Sequence, residues 1–300
     1  MKLYAPEYYK NFKCIADRCR HSCCIGWEID IDDDTLGKYS CLEGGYGEVI
    51  KESIDGDGAP HFRLCKNDRC PHLDGGGLCN IIKELGEGYL CDICREHPRF
   101  YNDTVRGKEA GLGLCCEEAC KIVLSSDDYD KFFILENGGA DAPEYEFDPL
   151  PFRKKVFTLL SDRSVPYTQR LEKIYDEFGV SPKKLSDGEW RELLSSLEYL
   201  WEDHRSLFSR YTSSISDEGR FEKELERTLA YLVYRHVTSA EDENELYAAL
   251  GFCLFCERLL SSVAGSAESF DELCDLARII SEELEYSIDN TEAVKLEFLM

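Results

Sequence analysis

Apolar side chains in the second half of this 300-residue chain recur at helical spacing. Trp190, Leu193, Leu194, Leu197, Leu200 and Trp201 stand three and four residues apart, as do Phe270, Leu273, Leu276, Ala277, Ile280 and Leu284. That period puts each set on one face of a helix. Asp187 and Ser269 stand where a side-chain oxygen caps the first turn. The pattern predicts six helices, near 152–162, 167–178, 188–210, 218–236, 243–262 and 269–286. The first half carries short apolar segments broken by glycine, which read as short helices with little strand. WEIDI at 27–31 is its clearest alternating stretch. Strands and helices do not alternate, so a doubly wound nucleotide-binding sheet is not expected. The fold class predicted is mainly α: a cysteine-rich, metal-organised first half followed by an α-helical bundle.

The composition changes near residue 136. ENGGADAPEYEFDPLP, residues 136–151, gathers glycine, proline and acids and suits a linker. It separates an expected cysteine-rich domain, 1–135, from an expected helical domain, 152–300, and the length suffices for both. MKLYAPEYYK lacks the apolar run of a signal peptide, and no later segment is read as approaching the roughly 20 apolar residues that span a bilayer. A cytoplasmic chain with no transmembrane segment is expected. The net charge of −25 divides unevenly, 15 basic against 22 acidic groups in residues 1–120 and 20 against 38 afterwards. Nucleic acid is therefore not an expected partner, because phosphate binding needs a basic face. A protein displaying lysines suits the acidic surface better.

Thirteen of the sixteen cysteines fall in the first 120 residues. Cys14, Cys19, Cys23 and Cys24 lie in FKCIADRCRHSCCIGW, Cys70 and Cys79 in CPHLDGGGLC, Cys91 and Cys94 in CDIC, and Cys115, Cys116 and Cys120 in GLCCEEAC. Without an export signal such bunching reads as thiolate ligands rather than disulfides, and the adjacent pairs make strained bridges. Zinc and iron-sulfur clusters both take four thiolates, so ligand type leaves the metal open. The C-x3-C-x2-C spacing of radical enzymes that cleave S-adenosylmethionine is absent, since Gly26 and Val123 occupy the third positions. His21, His61 and His72 lie near cysteines and are further ligand candidates. Cys253, Cys256 and Cys274 sit in a helical apolar pattern and read as core. Asp30, Asp32 and Asp34 begin like a calcium loop, but Cys41 stands where its glutamate belongs. The glycines at 75–77 lack the lysine and helix of a phosphate loop.

In order, FKCIADRCRHSCCIGWEIDID, CPHLDGGGLCNIIKELGEGYLCDICREHPR and LGLCCEEA resemble the flagellin lysine N-methylase family, over about residues 1–125. The resemblance implies a cytoplasmic S-adenosylmethionine-dependent methyltransferase that N-methylates surface lysines of flagellin and carries a cysteine-bound 4Fe-4S cluster. The family's cysteines fall on Cys14, Cys19, Cys23, Cys24, Cys70, Cys79, Cys94 and Cys116. Cys41, Cys65, Cys91, Cys115 and Cys120 are additional, and Cys91 or Cys120 can substitute for a neighbour. A lysine attacks a methyl group only as the free amine, and a reference pKa near 10.4 leaves under about 0.1% neutral at pH 7. Within the matched blocks, Glu117 and Glu118 are candidate bases, Tyr101 and Tyr89 candidate hydroxyls, and His97 a further base. Arg99 is a candidate to hold the carboxylate of S-adenosylmethionine. The alternative reading is a non-catalytic zinc- or iron-binding module, a metal carrier or interaction scaffold; electron transfer is a third.

Overall fold

The computed structural model describes residues 1–56, 58–138, 146–214 and 219–299. Strand β1 (Lys2–Pro6) is followed by helices α1 (Asp33–Ser40) and α2 (Gly45–Ser53), the short strands β2 (Ile54–Asp55) and β3 (His61–Phe62), and helices α3 (Asn80–Leu85) and α4 (Asp92–Glu96). Next come β4 (Arg99–Thr104), β5 (Gly107–Leu112), α5 (Glu117–Ser125) and β6 (Phe132–Asn137). The remainder is helical: α6 (Leu150–Leu160), α7 (Tyr167–Phe178), α8 (Asp187–Ser196), α9 (Arg205–Phe208), α10 (Glu222–Leu232), α11 (Glu243–Ala264), α12 (Phe270–Ile280) and α13 (Ile288–Leu296). Two π-helical turns, Val233–Val237 and Ser281–Glu285, extend α10 and α12. The chain is mainly α, 54% helical against 11% strand.

The chain forms two compact units, Lys13–Arg99 on one hand and Met1–Phe12 with Phe100–Met300 on the other. This division differs from the expected one between residues 135 and 152. The cause is β1, which pairs in parallel with β5 and antiparallel with β6, so strands from both ends of the first 137 residues share one sheet of order β4-β5-β1-β6. Of the expected linker, residues 136–137 end β6, residues 150–151 begin α6, and residues 139–145 lie outside those described. Gly107 allows the close approach of β1: its φ is +136°, and a Cβ there would strike the Lys2 carbonyl.

The larger unit is built round α11, whose Leu250, Phe252, Leu254, Phe255 and Leu259 are fully buried. Trp190 of α8 packs its ring 4.2 Å from Phe255 and donates its indole N–H to the Pro182 carbonyl at 2.7 Å. The expectation that no segment approaches a membrane span needs correcting here. Among the described residues α11, at 22 residues, is long and apolar enough, but 94% of its apolar window is buried inside the unit. A core helix passes the same test of length and composition. Cys253, Cys256 and Cys274 are buried, as their pattern predicts. Ser269 caps α12 through the Glu272 N–H, whereas Ser186 rather than Asp187 caps α8, in a reciprocal box with Glu189.

The smaller unit has its own core of Ile29, Ile31, Tyr39, Ile50, Phe62, Cys70, Leu73, Ile81 and Cys91. The WEIDI stretch makes an isolated bridge, Asp30 to His61, in place of a full strand, with Ile29 and Ile31 turned into that core. Asp32 caps α1 through the Thr35 N–H at 2.9 Å, and its other oxygen accepts the Asp92 N–H at 2.8 Å. The acidic run thus serves as a helix cap.

Candidate functional site

Cys24, Cys70, Cys79, Cys91 and Cys94 all pack into or against the core of the smaller unit. Backbone pairing brings them there. Cys70 N–H donates to the Cys24 carbonyl at 2.8 Å, and Gly26 N–H to the Asp68 carbonyl at 2.9 Å, which lays residues 24–26 beside 68–70. The DGGG turn then folds the chain back, so that Leu73 bridges Cys79 and Asn80 N–H reaches the His72 carbonyl at 2.8 Å. Asp74 holds this turn, its carboxylate accepting the Gly76 and Leu78 N–H groups at 2.8 and 2.9 Å. The Lys83 ammonium and those amides lower the Asp74 carboxyl to about 2. Cys79 and Cys91 stand at the N-termini of α3 and α4, and Cys94 lies one turn into α4. Tyr39 ties the last pair down, its hydroxyl donating to the Tyr89 carbonyl at 2.6 Å and lying 3.6 Å from the Cys91 sulfur.

These thiols titrate as a group. The Cys94 thiol bonds to Cys91 and lowers it, while that bond and burial hold the Cys94 proton on. Cys24 is lowered to about 7, chiefly by a bond from Cys23 and against the effect of burial, with Ser22 and the Arg69 charge assisting. Burial raises Cys70 to about 12 and raises Cys79 as well, and neighbouring thiols add to both shifts. A soft cation bound to these sulfurs would replace their protons, since the thiolate is the form that ligates metal. As the side chains lie, no group of three His, Cys, Asp or Glu among the described residues can hold a single ion. The fit to a metal rests on the chemistry of the donors, soft sulfurs suited to iron or zinc, rather than on a preformed cage.

The structure thus gathers Cys24, Cys70, Cys79 and Cys94 of the expected ligands, with Cys23 bonded to the Cys24 thiol. Cys91, counted as additional, stands among them; its signal was the C-x2-C spacing with Cys94. Cys14 and Cys23 are exposed, and Cys19 ends a single 3-10 turn, Ala16–Arg18. Cys116 belongs to the larger unit, at the N-terminus of α5. His72 is spoken for: Nδ1 bonds the Tyr46 hydroxyl at 2.7 Å and Nε2 the Ser53 hydroxyl at 2.9 Å, while burial lowers the ring to about 4. His61 turns its Nδ1 to the Ala59 carbonyl at 2.9 Å.

The candidate catalytic residues are dispersed. Glu117 is buried and 3.5 Å from the Lys121 ammonium, and Glu118 beside it is half-buried. Arg99 donates to the Arg95 carbonyl at 3.3 Å. Burial, with the Arg99 charge, lowers His97 to about 4 and keeps it neutral at pH 7. Tyr101 is exposed and lines a cavity of about 500 Å³ with Asp103, Glu146, Phe147, Thr238 and Glu241, within the larger unit. Its carboxylates and rings suit a cation.

No family model matches the chain, and no solved structure matches it. It is similar to the Lysine-N-methylases of Salmonella choleraesuis and Salmonella typhimurium, 27% identical over 137 residues, or 41% of this chain and 32% of each relative. It thus spans about a third of the length of those relatives. The same identity and share of this chain relate it to the Flagellar biosynthetic protein FliU of Salmonella muenchen, of which 77% is covered. The chain is therefore related to the flagellin lysine N-methylase family, as the ordered cysteine blocks imply.

Proposed function

We propose that the chain is a cytoplasmic protein-lysine N-methyltransferase, that S-adenosylmethionine donates the methyl group, and that flagellin is the acceptor. The observation that carries the reading is the gathered thiol set, Cys24, Cys70, Cys79, Cys91 and Cys94, in a chain whose relatives are named Lysine-N-methylase. Four of the five would hold a 4Fe-4S cluster. When bound, the cluster organises the loops that carry its ligands.

The remaining work belongs to this chain's own groups. The acceptor ammonium enters the cavity beside Tyr101, where Asp103, Glu146 and Glu241 hold it and Phe147 narrows the space. A carboxylate there accepts the ammonium proton and frees the lone pair. The Tyr101 hydroxyl orients the amine. Glu117, facing Lys121, and Asp103, facing Lys108 at 3.8 Å, are less suited to the task than Glu146 and Glu241.

A second reading, a non-catalytic metal-binding module, is favoured by the coverage of only 32% of the methylase relatives. Anaerobic purification with analysis of iron, sulfide and zinc, followed by tritiated S-adenosylmethionine and flagellin, separates the two. About four irons with matching sulfide, and label in flagellin lysines, are expected. Zinc alone with no label transferred would replace the enzyme by the module.

A further inference from the structure

The two-residue turn between β4 and β5 carries Arg106, whose guanidinium pairs with Glu109 and lies 5.0 Å from the Phe132 ring centroid. Arg153 of α6 grips the same carboxylate through both terminal nitrogens, donates to the Thr238 hydroxyl at 2.7 Å and lies 5.4 Å from the Phe132 centroid. Glu109 is wholly buried and Arg153 nearly so. Both terminal nitrogens of Arg153 are thus committed. Arg106 instead keeps a buried Nε with no hydrogen-bond partner among the described residues. A cationic donor left unmatched in a fold is costly, and the guanidinium gains by turning toward an anion.

Both guanidiniums line a cavity of about 380 Å³. Arg106, Asp130 and Phe132 come to it from the sheet side. From α6 and the residue after it come Lys154, Thr158 and Ser161, whose spacing of four and three puts them along one helical face. Phe132 lies under both guanidiniums, so that side of each charge is dry. Glu109 and Asp130 cancel two of the three positive charges and leave one, a local reversal of sign in a chain of net charge −25. The Thr158 hydroxyl donates to the Lys154 carbonyl at 2.9 Å, and the Ser161 hydroxyl to the Thr158 carbonyl at 3.4 Å. The Lys154 carbonyl already accepts a helical amide, so Thr158 gives up little by turning its proton to a ligand.

We propose that this cavity binds a phosphate monoester, the phosphate held by the Arg106 guanidinium, the Lys154 ammonium and the Thr158 and Ser161 hydroxyls. Donors from both the sheet and α6 call for an anion with oxygens on more than one side. A phosphate offers three such oxygens and one to two negative charges, whereas a carboxylate offers two oxygens in one plane. The cavity is larger than inorganic phosphate alone fills, which leaves room for the esterified group. The proposal goes beyond the methyltransferase reading and does not depend on it.

The test is calorimetric titration of the full chain, purified without oxygen, with glycerol phosphate, inorganic phosphate, succinate and glycerol in dilute buffer. Glycerol phosphate is expected to bind best, inorganic phosphate next, succinate more weakly and glycerol not at all. Arg106→Gln leaves Glu109 its two bonds from Arg153, and Lys154→Gln alters an exposed side chain, so one of the two remains informative if the other unfolds. Affinity for glycerol phosphate should fall about tenfold in Arg106→Gln and several-fold in Lys154→Gln, as losing a charge-assisted bond predicts. Lys155→Gln, whose lysine pairs with Glu177, controls for lost charge on α6 and should match wild type. Unchanged affinity in both cavity variants overturns the site, as does an equal loss in Lys155→Gln. Succinate bound as tightly as glycerol phosphate overturns the choice of phosphate over carboxylate, and inorganic phosphate bound more tightly than the ester overturns the choice of an ester. Absence of binding by both phosphates overturns the proposal outright.

Discussion

Glu226 is a buried carboxylate that keeps its charge because its partners outweigh its desolvation. Tyr129 donates to it at 2.9 Å, Arg170 at 2.6 Å and Arg163 at 2.9 Å. Burial works to raise its pKa, but the arginines and Tyr129 lower it overall. The stability this contributes is present above the unfolded carboxyl value, near 4.3, and is lost as pH falls through the lower folded value. Glu226→Gln leaves buried arginine charge uncompensated, and urea denaturation at pH 7 should show a loss of about 3–5 kcal/mol. The variant's stability should also fall less steeply between pH 5 and pH 3; an equally steep acid limb would show that other groups govern it. At the thiols, replacing Cys24, Cys70, Cys79 or Cys94 by serine is expected to remove most bound iron, whereas Cys41→Ser and Cys65→Ser, at exposed positions, should leave the content unchanged. The sequence showed which segments carry the gathered cysteines. It did not show that Cys91 joins them or that His72 is already bonded at both nitrogens, because those facts depend on partners 19 to 52 residues away.

Five of the six predicted helices match observed ones to within a few residues, since in them the apolar period agrees with the face that packing buries. The helix expected over 188–210 is broken after Ser196. Glu283 is the reason. Its carboxylate accepts the Leu200 N–H at 2.7 Å and the Trp201 N–H at 3.2 Å, and bonds His204 at 2.6 Å, taking donors that a continuous helix would use itself. Glu283→Ala orphans those groups and should cost about 1–3 kcal/mol for each buried donor lost. Hydrogen exchange at residues 200–204 should accelerate by orders of magnitude; unaltered protection there would mean the break has another cause. The sheet was not legible for a related reason. Gly107–Leu112 holds two glycines and an alanine, poor strand formers, and becomes β5 because β4 and β1 flank it. Gly111 lies where a Cβ would collide with the Phe100 ring, a requirement set by packing alone.

At the scale of the whole molecule, each compact unit has its own core, and the two cores differ in what sustains them. The larger holds dozens of buried apolar side chains, and the smaller nine buried residues, two of them cysteines. A core of that size is marginal without a staple, so the smaller unit should depend on the metal proposed for it. Chelation of the purified protein is expected to expose the amides of residues 13–99 to rapid exchange while those of α10 and α11 stay protected. Simultaneous loosening of both would show that the units unfold as one. The change of composition near residue 136 pointed to a boundary that pairing overrides, because β6 returns to β1. That pairing also orders events on the ribosome. β1 emerges first, yet its neighbours β5 and β6 follow about a hundred residues later, a delay of roughly 5–20 s at usual translation speeds. For that interval β1 has exposed edges, and the intervening cysteine-rich segment can take up the metal proposed for it before the sheet closes.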